Sequence, residues 1–157
     1  MASPAYVAAL RMLARRELSE AQVRQRLARK EFADTDIDEA VTRLKDDRAI
    51  DDARVAEAIA RTETSVRKRG KRRIMRKIES AGIRPTVAKQ AIDEVFGALD
   101  AEALLESALA KRLPRGQSIE DDRTFNRLYR YLVGQGFEPD RVVELLRSRK
   151  SAARHQR

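Results

Sequence analysis

An all-α fold of three tandem three-helix repeats is what this 157-residue sequence predicts, on three observations. The stretches LARKEFADTDIDEAVTRL, IESAGIRPTVAKQAIDEV and LVGQGFEPDRVVELLRSR align without gaps. The alignment brings Leu27, Ile78 and Leu132 into register, then Phe32, Ile83 and Phe137, Ile37, Ala88 and Val142, and Val41, Ile92 and Leu146, while Val23, Ile74 and Leu128 coincide four residues upstream. The apolar positions recur at helical spacing, and alternating strand patterns are missing. Aromatic residues make up 4% of the chain, and there are 6 Gly and 4 Pro, which fits neither an aromatic-rich sheet nor a loop-rich fold. The repeats are expected over residues 1–50, 51–98 and 99–152, followed by a frayed basic tail at 153–157. Units this short sit near the lower limit for independent folding, so they are expected to lean on one another in an elongated, curved array presenting an extended surface.

The first repeat opens with AYVAALRMLARREL, where Tyr6, Val7, Leu10, Leu13 and Ala14 form the expected apolar stripe and Arg11, Arg15 and Arg16 fall on other faces. Ser19 and Gln22 have the spacing of a capping box ahead of a second helix that carries Val23 and Leu27. After a turn at Phe32, Asp34 or Thr35 is expected to cap a third helix with Ile37, Val41 and Leu44 on one side. In the second repeat, Asp51 and Asp52 suit a helix N-terminus, Gly70 breaks a basic run, and Gly82 is placed to close a helix in the left-handed conformation. Pro85 and Pro139 share a repeat position in which a first-turn proline sacrifices no helical hydrogen bond. The third repeat runs through DAEALLESALAKRL, the loop PRGQSIE, DDRTFNRLYRYLVGQGF and PDRVVELLRSRK.

The 34 Lys and Arg against 25 Asp and Glu give a formal net charge of +9, which points to a polyanion or an acidic protein surface as partner. No apolar run reaches the ~18 residues of a membrane span, and the N-terminal stretch is too charged and too periodic for a secretory signal. With no Cys there is no disulfide framework, and a reducing, cytoplasmic setting is expected. The residues suggest no catalytic constellation, and no metal or other cofactor is expected. The single His155 stands alone in the tail. The acidic pairs Asp46 and Asp47, Asp51 and Asp52, and Asp121 and Asp122 lie at helix ends, and capping accounts for Asp51, Asp52, Asp121 and Asp122 without a metal. The chain also lacks the glycine spacing of a phosphate-cradling loop.

The densest charge lies in VRKRGKRRIMRK, with Arg67, Lys68, Arg69, Lys71, Arg72, Arg73, Arg76 and Lys77. Ile74 and Ile78 anchor the following helix, so the basic side chains are expected to fringe a buried stripe and to meet phosphates, adding affinity but little sequence information. Similar residues recur on the second helix of the other repeats, as Arg24, Arg26, Arg29 and Lys30, and as Arg123, Arg127 and Arg130. Tyr129 and Tyr131 are interleaved with the last group, either as core residues or as platforms for bases. This basic set is the candidate binding site. Its spread over three repeats disfavours a single base-reading helix.

Three segments, RELSEAQVRQRLARKEF, IDDARVAEAIAR and RGKRRIMRKIESAGI, give the chain a resemblance to the RecX family over roughly residues 5–150. Ile50, Asp51, Asp52, Arg54 and Ala56 match the family's hydrophobic-Asp-Asp-x-Arg-Phe-Ala signature, with Val55 standing where Phe is favoured. Arg16, Glu17 and Leu18 match an early Arg-x-Glu-Leu element, Gly70, Arg73 and Ile74 follow the signature at the family's distance, and Gly82–Ile83 and Gly136–Phe137 correspond to its glycine-hydrophobic pairs. The resemblance implies a monomeric, non-enzymatic regulator of homologous recombination, DNA repair and the SOS response. Such a protein lies along the RecA filament, binds single-stranded and also double-stranded DNA, and mainly inhibits filament assembly, ATPase, strand-exchange and coprotease activities. The alternative is a sequence-nonspecific DNA-binding protein that acts by occupying DNA.

Overall fold

A computed structural model describes residues 1–154, with side chains through residue 150; His155 and the remainder of the expected tail lie outside the described residues. The described residues form nine helices and no strand: α1 (Pro4–Leu13), α2 (Glu20–Arg29), α3 (Asp34–Asp46), α4 (Asp52–Ser65), α5 (Lys71–Ser80), α6 (Pro85–Gly97), α7 (Ala101–Ala110), α8 (Asp122–Gly134) and α9 (Pro139–Arg154). The chain divides into two compact units. Unit 1 holds residues 1–59 and 77–91, unit 2 holds residues 60–76 and 92–157, and the boundaries fall inside α4, α5 and α6.

The matched apolar positions form the core. Val23, Leu27, Ile74, Ile78, Leu128, Leu132, Val142 and Leu146 are buried to within 1% of complete, and Ala88, the small residue at its repeat position, is equally inaccessible. In unit 1 they pack with Ala5, Tyr6, Ala9, Leu18, Leu44 and Ile50. In unit 2, Leu104, Leu105, Leu109 and Ile119 join Leu128, Leu132 and Leu146. The first helix turns inward a face shifted from the one its spacing suggested, keeping Tyr6 and Leu13 against the core but not Leu10 or Ala14. Ala5, Tyr6 and Ala9 are buried, whereas Leu10 is 38% exposed and Ala14 is exposed. Small alanines let α1 approach closely, and the Tyr6 hydroxyl donates to Asp47 Oδ2 at 2.8 Å, so the polar tip of the ring is satisfied at the edge of the core.

Helix ends follow local chemistry with one exception. Ser19 and Gln22 form the reciprocal capping box. Asp51 Oδ1 accepts from Arg54 N and Asp121 Oδ1 from Thr124 N. The Thr124 hydrogen bonds hold the Asp121 carboxyl below its ordinary pKa. Asp52 instead accepts from the Glu20 backbone N–H at 2.9 Å. Pro85 and Pro139 open α6 and α9. The exception is α3, where neither Asp34 nor Thr35 caps: the N-cap is Ala33, without a side-chain bond, and Asp34 is the first helical residue, placed to complement the helix dipole.

The same left-handed turn closes the second helix of each repeat, at Glu31 (φ 64°), Gly82 (φ 76°) and Gly136 (φ 100°). Phe32 N donates to Leu27 O and Phe137 N to Leu132 O, the long bond of a Schellman closure, with the aromatic residue folded back towards the core. These turns serve as docking points. In unit 1 the Ser19 hydroxyl donates to the Ala81 carbonyl. In unit 2, at the equivalent repeat positions, Gly70 N donates to the Gln135 carbonyl at 2.9 Å and Arg72 N to Gly136 O at 3.1 Å. Side chains are excluded at both joints: a methyl at Gly82 would lie 2.4 Å from Ala21 Cβ, and one at Gly136 would lie 2.4 Å from Arg73 N.

Candidate nucleic-acid interface

Basic side chains that hold no acidic partner are those with charge to spare for a ligand, and ion pairing sorts the candidates. In unit 2, the segment between α4 and α5 begins with Arg67 and Arg69, both paired to Glu63, whose side chain is only 4% exposed. Arg69 is itself drawn inward, and its Nε is buried without a partner. Arg69 is therefore part of the interior of unit 2 and does not belong to an exposed basic fringe. Lys68 adopts φ 53°, and Lys71 at the start of α5 lies 5.2 Å from the Phe96 ring centroid. Arg72 pairs with Glu138 at 2.9 Å, and Arg73 donates to the Gly134 carbonyl at 3.3 Å. Arg76 is exposed and without an acidic partner among the described residues; Lys77, the next residue, is also exposed and belongs to unit 1.

On α8 in unit 2, Arg123, Arg127 and Arg130 are exposed and follow one another at i, i+4 and i+7, so they share a helix face. Their tyrosine neighbours are half-buried. Tyr129 and Tyr131 both pack against the core, and the Arg112 guanidinium lies 4.7 Å from the Tyr131 ring centroid.

In unit 1 the candidates separate. Arg24 is committed to the fold by Glu20 Oε1 at 3.2 Å and by Asp38, whose hydrogen bond raises the guanidinium above its ordinary pKa. Burial pushes the Glu20 carboxyl upward, but hydrogen bonds from Lys45 and Arg24 outweigh it and hold the group below its ordinary value. Arg26, Arg29 and Lys30, by contrast, line a cleft of about 690 Å³ together with Arg11, Arg15, Arg16, Ala8 and Met12. The three arginines of the first helical segment escaped the sequence reading as candidates, although the spacing RMLARR against RLARK carried the signal.

No group of three or more His, Asp or Glu among the described residues could hold a metal ion, and no helix is long and apolar enough to cross a membrane. The geometry is that of exposed cations on rigid helices, suited to polyanion contact.

Residues 5–44 match the model of a protein family described as "RecX, first three-helix domain". A curated relative from Syntrophotalea carbinolica, "Regulatory protein RecX", is 31% identical over 134 residues, covering 85% of this chain and 88% of its own. A protein of the same name from Chromohalobacter salexigens is 33% identical over 134 residues, covering 85% of each chain. Among solved structures, RecX from Lactobacillus salivarius superposes with a TM-score of 0.74 at 23% identity, over 90% of this chain and 94% of that one. A further structure, "Crystal structure of regulatory protein RecX", gives 0.78 at 19% identity, over 92% and 70% respectively.

Proposed function

Since this chain belongs to the RecX family of regulatory proteins, we propose that it binds the RecA nucleoprotein filament and modulates it, mainly by inhibition. The processes affected are filament assembly, ATP hydrolysis, strand exchange and coprotease activity. The observation that carries this reading is the presence, on both compact units, of cations without an acidic partner among the described residues: exposed Lys71, Arg76, Arg123, Arg127 and Arg130 and half-buried Lys68 in unit 2, and exposed Lys30 and half-buried Arg26 in unit 1. Such groups neutralise phosphates of DNA held in the filament or acidic patches of its protein, and the protein regulates an ATPase without hydrolysing ATP itself. Two linked units, each with its own contact, convert modest single affinities into a long-lived attachment. The protein acts as a cytoplasmic monomer and contacts single-stranded and double-stranded DNA.

The test is co-sedimentation with RecA filaments formed on single-stranded DNA and stabilised by a non-hydrolysable nucleotide. The variant Lys68→Glu/Lys71→Glu/Arg76→Glu breaks no ion pair, because none of the three holds an acidic partner among the described residues. It is expected to bind on the order of tenfold more weakly with unchanged helical content. Retention at wild-type affinity would remove unit 2 from the contact.

A further inference from the structure

The cleft between α1 and α2 in unit 1 is lined by six cations and no acid. Helix-dipole compensation explains a basic residue or two in the last turn of each helix, such as Arg11 in α1 and Arg26 and Arg29 in α2. It does not explain why the two sets share one cleft, since each cation raises the energy of the others in a concave space where field lines are focused. Two carboxylates of the same unit are occupied elsewhere, Glu17 by Arg54 and Glu20 by Arg24 and by Lys45 at 3.1 Å, and Glu31, next to Lys30, does not line the cleft. The arrangement is stable only if water and small ions screen it, and it releases those ions when a polyanion enters.

We propose that this cleft is a binding site for the sugar-phosphate backbone of a single nucleic-acid strand. The inference rests on the reading of the chain as a DNA-contacting filament regulator and gives that reading a specific site in unit 1. Five of the six cations are arginines, whose planar forks engage phosphate oxygens two at a time. Ala8 and Met12 are the apolar lining, too little to anchor an amphipathic peptide helix, which needs several apolar contacts along a groove. A strand with one charge per nucleotide needs only the cations. A volume of about 690 Å³ suits a short length of one strand better than the bulk of a duplex. Arg24 is excluded from the site, being held by Glu20 and Asp38.

The experiment is fluorescence anisotropy of the full chain with a labelled oligothymidylate and with a duplex of equal length, across a salt series. Arg15→Glu/Arg26→Glu is the test variant, Arg15→Gln/Arg26→Gln the milder partner should the first fail to fold, and Lys68→Glu/Lys71→Glu/Arg76→Glu the comparison in unit 2. If the cleft holds about three phosphates, the slope of log affinity against log salt for the single strand falls in magnitude by about 2 when it is neutralised, with a loss on the order of tenfold or more in affinity. The duplex is expected to lose less. Wild-type single-strand binding by both cleft variants overturns the site, while the filament reading survives if the unit 2 variant still loses filament binding. An equal loss for duplex and single strand overturns the single-strand assignment. Displacement of the oligonucleotide from the cleft by polyglutamate at equal charge concentration overturns the nucleic-acid assignment in favour of an acidic protein ligand.

Discussion

Gly136→Ala is expected to destabilise the folded chain by roughly 3–5 kcal/mol, measured as the shift in the urea unfolding transition followed by circular dichroism. Three costs meet at this residue. Its φ of 100° lies where a Cβ is disfavoured, at about 1–2 kcal/mol. The methyl would sit 2.4 Å from Arg73 N and 2.8 Å from Gly70 O, backbone atoms that cannot rotate aside, so the start of α5 must move away. Movement there stretches the bonds from Gly70 N to Gln135 O and from Arg72 N to Gly136 O, each worth about 1 kcal/mol. Gly116 provides the control. It also has positive φ, at 85°, but a methyl there meets nothing within 4 Å. Gly116→Ala is therefore expected to cost only about 1 kcal/mol. Equal costs at the two glycines would show that the joint between the turn after α8 and the start of α5 is not close-packed.

Glu63→Ala is expected to cost about 3–5 kcal/mol, because it strips a buried carboxylate from two guanidinium groups. Glu63 accepts from Arg69 and pairs with Arg67 Nε at 3.6 Å, and Arg69 N also donates to the Glu63 carbonyl at 3.0 Å, so the turn after α4 is wound around this residue. Without the carboxylate, the Arg69 side chain, 15% exposed and already carrying an unpartnered Nε, would be left charged in a site that offers little water. Glu63→Gln keeps the shape and one acceptor and is expected to lose less. If Glu63→Ala falls within about 0.5 kcal/mol of wild type, as surface substitutions do, the pair lies in solvent and Arg69 rejoins the exposed cations.

These two residues mark where the sequence stops being legible. The helices were readable because their signals are local: apolar residues at i and i+4, a Ser and a Gln three apart, a proline in a first turn. Leu27, Ile78 and Leu132 accordingly coincide in register and in complete burial. The joints were not readable, because Gly70 and Gly136 lie 66 positions apart and nothing local announces that one backbone rests on the other. Glu31 hides the shared left-handed turn for a similar reason, since the first repeat holds a charged residue where the others place glycine. In α1 the periodicity was real, yet the alanines rather than the leucine at position 10 face the core, because close helix approach favours small side chains. The candidate site was legible as composition and less so as geometry. A run of basic residues does not reveal that Arg69 turns inward to Glu63, that Arg24 is held by two carboxylates, or that Arg11, Arg15 and Arg16 share a cleft with Arg26, Arg29 and Lys30.

The most direct test of the filament reading is a titration of RecA ATP hydrolysis on single-stranded DNA with this protein, repeated at several DNA excesses. A filament binder whose linked units block subunit addition inhibits at well below one molecule per RecA subunit, and its half-maximal concentration does not scale with total DNA. Inhibition that appears only when the protein covers the DNA lattice, and that disappears as naked DNA is added in proportion, would contradict filament binding and leave occupation of DNA as the mechanism.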